Sequence, residues 1–145
     1  MATLLDTNIL LRLIQPGSPY SPVAEKALAV MRRKSEALCV VSQNLFEFWA
    51  VATRPQADNG LGLSVDQALR EIGRLRRLFV LLPELPLQSE WEKLVVQYQV
   101  TGKNSHDARL VAAMRVHQVN QILTFNGDDF ARYADLTVLD PSLVV

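Results

Sequence analysis

Acidic side chains recur in this sequence where short apolar runs give way to polar segments. Asp6 follows "ATLL", Glu47 lies about a turn beyond "ALCVV", Asp107 lies in "SHDARLVAAM", and the pair Asp128 and Asp129 follows "NQILTF". Carboxylate oxygens are hard ligands, so a group of them without cysteine or paired histidines favours Mg²⁺ or Mn²⁺. Such an ion activates a bound water and stabilises charge on an attacked phosphate. The residue types therefore indicate metal-dependent hydrolysis of a phosphate ester.

The elements that must position these acids follow from the alternation of apolar runs with segments of helical period. This pattern predicts an α/β fold in which helices connect parallel strands, in a single domain spanning residues 1–145. The predicted strands are "ATLL", "ALCVV", "FVLLPEL", "NQILTF" and "LTVLD". Predicted helices cover 8–14, 21–34, 42–54, 64–78, 87–100 and 105–118, with a short one through "FARYA". Ligands of such sheets bind at the carboxyl ends of the strands, so we expect the acids to converge there.

Each acid also has an ordinary local explanation. Asp6 can cap the helix that follows it, and Asp128 or Asp129 can cap the helix through "FARYA". Asp107 is a first-turn acid, which the helix dipole favours. Similarly, Ser42 is predicted to cap one helix, and Asn104 or Ser105 another. The turn-rich segment 54–64 is predicted to be an exposed loop.

Glu47 is harder to explain locally, because its neighbours in "LFEFWAVA" are apolar. This environment predicts that the carboxylate faces inward, where it is costly without a partner. An arginine, a proton or a metal ion would relieve that cost. Only the metal also explains why the other acids converge on the same edge.

Composition limits which classes of protein this chain can belong to. The chain has 145 residues, 49% of them hydrophobic, with 15 basic and 15 acidic side chains. This balance argues against a general, salt-driven nucleic-acid binder, although Arg70, Arg74 and Arg77 repeat at helical spacing. The single cysteine, Cys39, is predicted to be a buried free thiol. With no apolar run long enough to span a membrane, we expect a soluble, cytoplasmic protein.

Several stretches, taken in order, are similar to a known family. "LLDTNILLRL", "SQNLFEFWAVATRP", "NGLGLS", "HDARLVAAM" and "ILTFNGDDF" together resemble the PIN-domain ribonucleases, specifically the VapC-type toxins of toxin–antitoxin pairs. The resemblance implies an α/β/α sandwich around a mostly parallel sheet, and a Mg²⁺- or Mn²⁺-dependent endoribonuclease. Asp6, Glu47 and Asp107 match its first three acids, which hold metal directly or through water. The nucleophile is then an activated water, with no covalent enzyme intermediate.

The same resemblance suggests the residues around the acids. The fourth acid of the family stands two residues after a threonine, which here is Thr124, but its place is taken by the neutral Asn126. Asp129, before Phe130, matches a further acidic position and is assigned to the metal site. Loss of one charge at Asn126 puts a second metal ion in doubt.

Supporting residues and partners are also implied. Thr7, Asn8 and Ser42 match small polar residues that line the family's site. The implied partners are RNA, a second copy of the chain in a homodimer, and a small antitoxin whose tail covers the active site. Phe46 and Trp49 are candidates for a groove that receives a partner helix, or for ordinary core. A non-catalytic PIN-like module that binds RNA or antitoxin is the alternative function.

Overall fold

The protein, described over residues 1–145 by a computed structural model, is a three-layer α/β/α sandwich, which confirms the predicted fold class. The strands are β1 (Ala2–Leu5), β2 (Ala37–Val40), β3 (Val80–Leu81), β4 (Gln121–Leu123) and β5 (Thr137–Leu139). The helices are α1 (Thr7–Leu13), α2 (Tyr20–Arg33), α3 (Ser42–Ala52), α4 (Val65–Leu78), α5 (Gln88–Gln97) and α6 (Asn104–Val116). None of the helices is both long and apolar enough to cross a membrane.

All neighbouring strands are parallel, in the order β3-β2-β1-β4-β5. The chain therefore leaves β1 towards β2 on one side and later returns to β4 on the other. A crevice opens at the carboxyl edge of a parallel sheet where the direction of winding reverses in this way. Asp6 is at this point, because its backbone amide follows β1 and donates to the Leu123 carbonyl of β4 at 3.0 Å.

The side chains of the strands alternate between two apolar layers. Leu5, Val40 and Leu123 pack with helices α1 to α4 on one face, whereas Leu4 and Ile122 pack with α5 and α6 on the other. Full burial of a leucine contributes about 2 kcal/mol relative to leaving it exposed. The two filled layers thus fix the sheet and hold its carboxyl edge in place. Cys39 is part of the second layer, 2% exposed as predicted, and burial raises the pKa of its thiol to about 11.

Two capping predictions are wrong. Ser42 is the first residue of α3 rather than its cap, because the helix is closed by the Asn44 side chain, which accepts from the Val41 amide at 2.9 Å. At the start of α6, Asn104 and Ser105 both lie inside the helix, and no side chain caps it.

The predicted helix through "FARYA" is also displaced. A single turn of 3₁₀ helix, Gly127–Phe130, takes its place, so Asp128 and Asp129 lie inside that turn instead of capping a later helix. Phe130 is fully buried and anchors the turn against the second apolar layer. The pair of aspartates is thereby held at the surface directly after β4.

The turn-rich segment 54–64 is mostly exposed, as predicted. A Cβ atom at Gly60 would lie 2.0 Å from the Arg54 carbonyl oxygen, closer than any side chain allows, and Gly62 has a φ of +67°. The loop therefore needs glycine at these two points in order to close against the end of α3.

Candidate active site

The Asp6 carboxylate is held by short-range geometry at the end of β1. Asp6 is the N-cap of α1, and its Oδ1 accepts from the Thr7 amide at 2.7 Å. Its Oδ2 accepts from the Thr124 hydroxyl at 2.7 Å and from Asn8 Nδ2 at 3.3 Å. Asp6 can therefore cap α1 and also belong to a site, because capping uses Oδ1 and leaves Oδ2 facing the end of β4.

Thr124 and Asn8 tie the ends of β1 and β4 together around this carboxylate. The Thr124 hydroxyl accepts from Asn8 Nδ2 at 3.2 Å and from the Asn126 amide at 2.9 Å, and Asn8 Oδ1 accepts from the Phe125 amide at 3.3 Å. Thr124 is 1% exposed, so its hydroxyl depends on these partners. The geometry leaves the Asp6 carboxylate little freedom to rotate.

The other small polar residues suggested by the sequence are arranged differently. The Thr7 hydroxyl faces α3, where it accepts from Asn44 Nδ2 at 3.4 Å. Ser42 and Asn126 make no side-chain hydrogen bond to any of the acids, and the Asn126 side chain is exposed. Among the small polar residues suggested by the sequence, only Asn8 and Thr124 donate a side-chain hydrogen bond to an acid.

The expectation that Glu47 is buried is wrong, because the residue is exposed. Helix α3 turns Leu45, Phe48 and Ala52 into the core, whereas Phe46, next to Glu47 in the sequence, is 61% exposed. Apolar neighbours therefore gave a misleading indication of the inward face. The carboxylate is nevertheless anchored, since Oε1 accepts from Gln43 Nε2 at 2.8 Å.

Gln43 is a residue of this region that the sequence argument missed. It is only 8% exposed, and Nε2 donates both to Glu47 and to the His106 carbonyl at 2.9 Å, while Oε1 has no partner. It thus links the Glu47 carboxylate to the first turn of α6, directly before Asp107. The i, i+4 spacing of Gln43 and Glu47 was the available signal.

The pKa of Asp107 is raised by burial and by the charges of the other acids. Burial raises the pKa of its carboxyl to about 6. The same shift has contributions, in falling order, from the negative charges of Asp129, Asp6 and Glu47, and His106 opposes it. The pKa of Asp6 is raised as well, first by burial and then by Glu47 and Asp129, against the hydrogen bonds from Thr124 and Thr7. Four acids from separate parts of the chain therefore share one electrostatic environment.

The donor chemistry of these acids fits a divalent cation, but the donors are spread apart. No group of three or more His, Cys, Asp or Glu side chains is close enough together to hold an ion. The pKa values of Asp6 and Asp107 are raised first by burial and then by the negative charges of the other acids. Carboxylates that repel one another move apart by side-chain rotation, and a cation between them would draw them together.

The three arginines at helical spacing and the paired aspartates all lie at the surface. Arg70, Arg74 and Arg77 are exposed on α4, and Arg74 is 3.7 Å from Glu71 in an i, i+3 ion pair. Asp128 is exposed, like Asp129. Asp129 differs from Asp128 in that its charge acts on both Asp6 and Asp107.

The chain is similar in structure to proteins of toxin–antitoxin complexes. The VapBC2 complex of Rickettsia felis bound to a promoter DNA fragment matches with a TM-score of 0.73 at 14% identity, covering 97% of this chain and 98% of that chain. DNA-bound VapBC from Salmonella typhimurium matches with a TM-score of 0.70 at 15% identity, covering 97% and 99%. VapC20 of Mycobacterium tuberculosis, a sarcin–ricin loop cleaving toxin, matches with a TM-score of 0.61 at 18% identity, covering 92% and 95%.

At these identities the likeness establishes the fold. No curated protein sequence matches the chain significantly. The sequence model of the PIN-domain family matches residues 3–136, nearly the whole chain. PIN-domain nucleases generally use divalent metal ions. The matched span leaves only the ends of the chain outside it, so this protein belongs to the PIN-domain family.

Proposed function

We propose that this protein is a Mg²⁺- or Mn²⁺-dependent endoribonuclease, the toxin of a VapBC-type pair, with Asp6, Glu47, Asp107 and Asp129 as its metal-binding and catalytic acids. The observation that supports the proposal is the hydrogen bonding of the acids around the switch point of the sheet: Thr124 of the β4 end holds Asp6, and Gln43 links Glu47 to the turn that carries Asp107. A nuclease needs this concentration of negative charge in order to bind a cation where phosphate must approach.

When bound, the cation supplies an activated water and stabilises the negative charge that develops on the attacked phosphate. The chain supplies the orientation. Thr124 and Asn8 fix the Asp6 carboxylate by hydrogen bonds, so one oxygen position is set before any ligand arrives. Gln43 orients Glu47 in the same way from α3. Partners of this kind typically change metal affinity or activity about 10- to 100-fold.

Asp107 and Asp129 complete the proposed site from α6 and from the turn after β4. Because its pKa of about 6 is close to neutral, the Asp107 carboxyl is partly protonated in slightly acidic solution without metal. A cation competes with that proton. Thr7, Ser42 and Asn126 remain proposed supports. The Thr7 backbone amide donates to Asp6, whereas the Ser42 and Asn126 side chains make no hydrogen bond to the acids, and Asn126 would contribute an oxygen but no charge.

The proposed partners are RNA, an antitoxin and a second copy of the chain in a homodimer, in the cytoplasm. VapBC complexes among the similar structures support the antitoxin. Support for RNA is that VapC20 of Mycobacterium tuberculosis, a structural neighbour, cleaves the sarcin–ricin loop. We also propose that residues 1–145 form one domain.

The test is cleavage of total cellular RNA with the cut sites mapped by sequencing. Wild type should cut in Mg²⁺ or Mn²⁺ and stop in EDTA, and Asp6→Asn and Asp107→Asn should be inactive. Asp128→Asn is the matched control, since it removes an exposed neighbouring aspartate outside the proposed set, and it should cut like wild type. The proposal would be refuted if wild type still cleaved RNA in EDTA, or if Asp6→Asn and Asp107→Asn both cleaved RNA.

A second candidate function is a PIN-like module that binds RNA or antitoxin without cutting. The neutral Asn126 in an acidic position and the wide spacing of the acids favour it. Calorimetry separates the two functions: if the protein fails to bind Mn²⁺ at millimolar concentration but still binds RNA, the binding module is the better description.

A further inference from the structure

Three side chains form a layered contact beside the proposed active site. The Arg12 guanidinium carbon is 4.9 Å from the centroid of the Tyr20 ring. The Tyr20 ring in turn meets the Phe125 ring at 5.3 Å, with 63° between their planes. Arg12 is in the last turn of α1, Tyr20 begins α2, and Phe125 follows β4. We call this group the Arg12–Tyr20–Phe125 stack.

The stack borders the acids through Phe125. Its backbone amide donates to Asn8 Oδ1, and the preceding residue, Thr124, donates to Asp6. Phe125 also lines an open pocket that contains Asp129. A ligand bound at the acids therefore borders the stack through Phe125.

Tyr20 is exposed and at the same time fixed in place. Nearly half of the residue, 48%, is accessible, and its hydroxyl makes no hydrogen bond within the protein. Arg12 and Phe125 restrict the ring, and Arg12 is itself oriented by a 3.2 Å hydrogen bond to Gln15 Oε1. A rigid aromatic surface loses little conformational entropy when a ligand stacks on it.

Charge indicates which ligand suits this surface. The neighbouring acids repel a phosphate backbone, and the net charge of the chain is zero, so the protein does not attract RNA as a whole. Arg12 supplies a positive charge on this side of the acids. An aromatic ring combined with a guanidinium is the surface on which unpaired bases stack in single-stranded RNA.

We propose that the Arg12–Tyr20–Phe125 stack binds an unpaired base of the RNA substrate next to the cleaved phosphodiester. The base stacks on the Arg12–Tyr20 pair, and Arg12 balances the charge of an adjacent phosphate. Stacking of this type tolerates any base, so it selects single-stranded over paired RNA rather than a sequence. The inference rests on the proposed ribonuclease function, whose substrate class it refines.

The experiment measures binding in the Asp107→Asn background, so that RNA stays intact, by fluorescence anisotropy. The probes are a labelled short oligo(A) RNA and an oligomer of the same length made of abasic ribose phosphate. Tyr20→Leu should weaken binding of oligo(A) about tenfold, within the range of base–aromatic stacking. It should leave binding of the abasic oligomer unchanged, whereas Tyr20→Phe should bind both like the parent.

The arginines give a matched pair of controls. Arg12→Gln should weaken binding of both oligomers. Arg32→Gln removes another guanidinium that lies over an aromatic ring, 5.4 Å from that of Phe79, and should weaken neither. Leucine at position 20 keeps apolar contact with Phe125, and Tyr20→Phe keeps the ring, so at least one informative variant folds.

The proposal is overturned if Tyr20→Leu weakens both oligomers equally or neither, or if the parent binds no oligo(A). Should Tyr20→Leu leave both affinities unchanged but shift sedimentation towards a monomer, the stack is a protein contact instead. The outcome is separate from that of the proposed function. Binding that depends on Tyr20 without any RNA cleavage by wild type would refute the nuclease alone, and cleavage with an unaltered KM in Tyr20→Leu would refute the stack alone.

Discussion

Replacing Gln43 by methionine should weaken metal binding while leaving the fold intact. Methionine has a similar length and fills irregular apolar space, so the substitution removes the amide without creating a large cavity. The lost interactions are the two hydrogen bonds from Nε2, to Glu47 and to the His106 carbonyl. The substitution also removes a buried Oε1 that has no partner.

The opposing contributions to stability are of similar size. A hydrogen bond to a charged group contributes about 1.5–3 kcal/mol and one to a backbone carbonyl about 1 kcal/mol, whereas an unpartnered buried amide oxygen costs about 1–3 kcal/mol. Since Glu47 is exposed, water replaces its lost partner. We therefore expect the free energy of unfolding to change by no more than about 1 kcal/mol, or about 4 °C in Tm.

Metal affinity should respond much more strongly. Without Gln43 the Glu47 carboxylate rotates freely, and the loss of such an orienting partner typically weakens metal binding about 10- to 100-fold. Calorimetric titration with Mn²⁺, beside thermal melts without metal, measures both effects. The matched control is Gln88→Met, because Gln88 makes the same i, i+4 contact to Glu92, at 3.2 Å, on exposed α5. If Gln43→Met loses several kcal/mol of stability and keeps its Mn²⁺ affinity, Gln43 is only a structural link between α3 and α6.

Three further predictions concern single sites. The raised pKa of Asp107 stabilises the fold below the unfolded value of 3.8, and this contribution is lost as pH rises through about 6, so metal-free Asp107→Asn should be the more stable protein at neutral pH. The shift is worth at most about 3 kcal/mol, which solvent screening of the partly exposed carboxyl reduces to about 1–2 kcal/mol. Thermal melts of wild type and Asp107→Asn at neutral and acidic pH measure this difference. Equal stability of the two proteins at both pH values would contradict the prediction. Thr124→Val removes a hydrogen bond to Asp6 and should cost about 1–3 kcal/mol and weaken Mn²⁺ binding, measured by denaturation and calorimetry, with unchanged binding as the contrary result. Gly60→Ala forces a Cβ against the Arg54 carbonyl and should cost about 1–3 kcal/mol in a urea melt without altering Mn²⁺ affinity; wild-type stability would disprove the clash.

Much of the fold follows from the sequence because the strands are short, apolar and bounded by polar residues. The runs "ATLL" and "NQILTF" predict β1 and β4 at nearly their observed positions. Strand β3 covers only Val80–Leu81 of the longer run "FVLLPEL". It lies at the edge of the sheet and pairs only with β2, and the prolines that follow it cannot donate backbone hydrogen bonds that would extend the strand.

The sequence predicts less about the site, because contacts between distant segments decide it. The end of β1 correctly indicates where Asp6 lies, and Thr124 is bonded to it although 118 residues separate them. The predicted inward direction of the Glu47 side chain was wrong, because burial on α3 is set by which face packs into the core beside α1 and α4, rather than by apolar neighbours in the sequence. Gln43 was overlooked since its second partner, the His106 carbonyl, is 63 residues away.

The claim that the acids form one metal site is tested most directly by titrating Mn²⁺ into the protein and its single-acid variants by calorimetry. Wild type and Asp128→Asn should bind with the same affinity, whereas Asp6→Asn and Asp107→Asn should lose most of the binding. If wild type binds no Mn²⁺ at millimolar concentration, or if Asp128→Asn loses as much as Asp107→Asn, the four acids do not act together as a metal site.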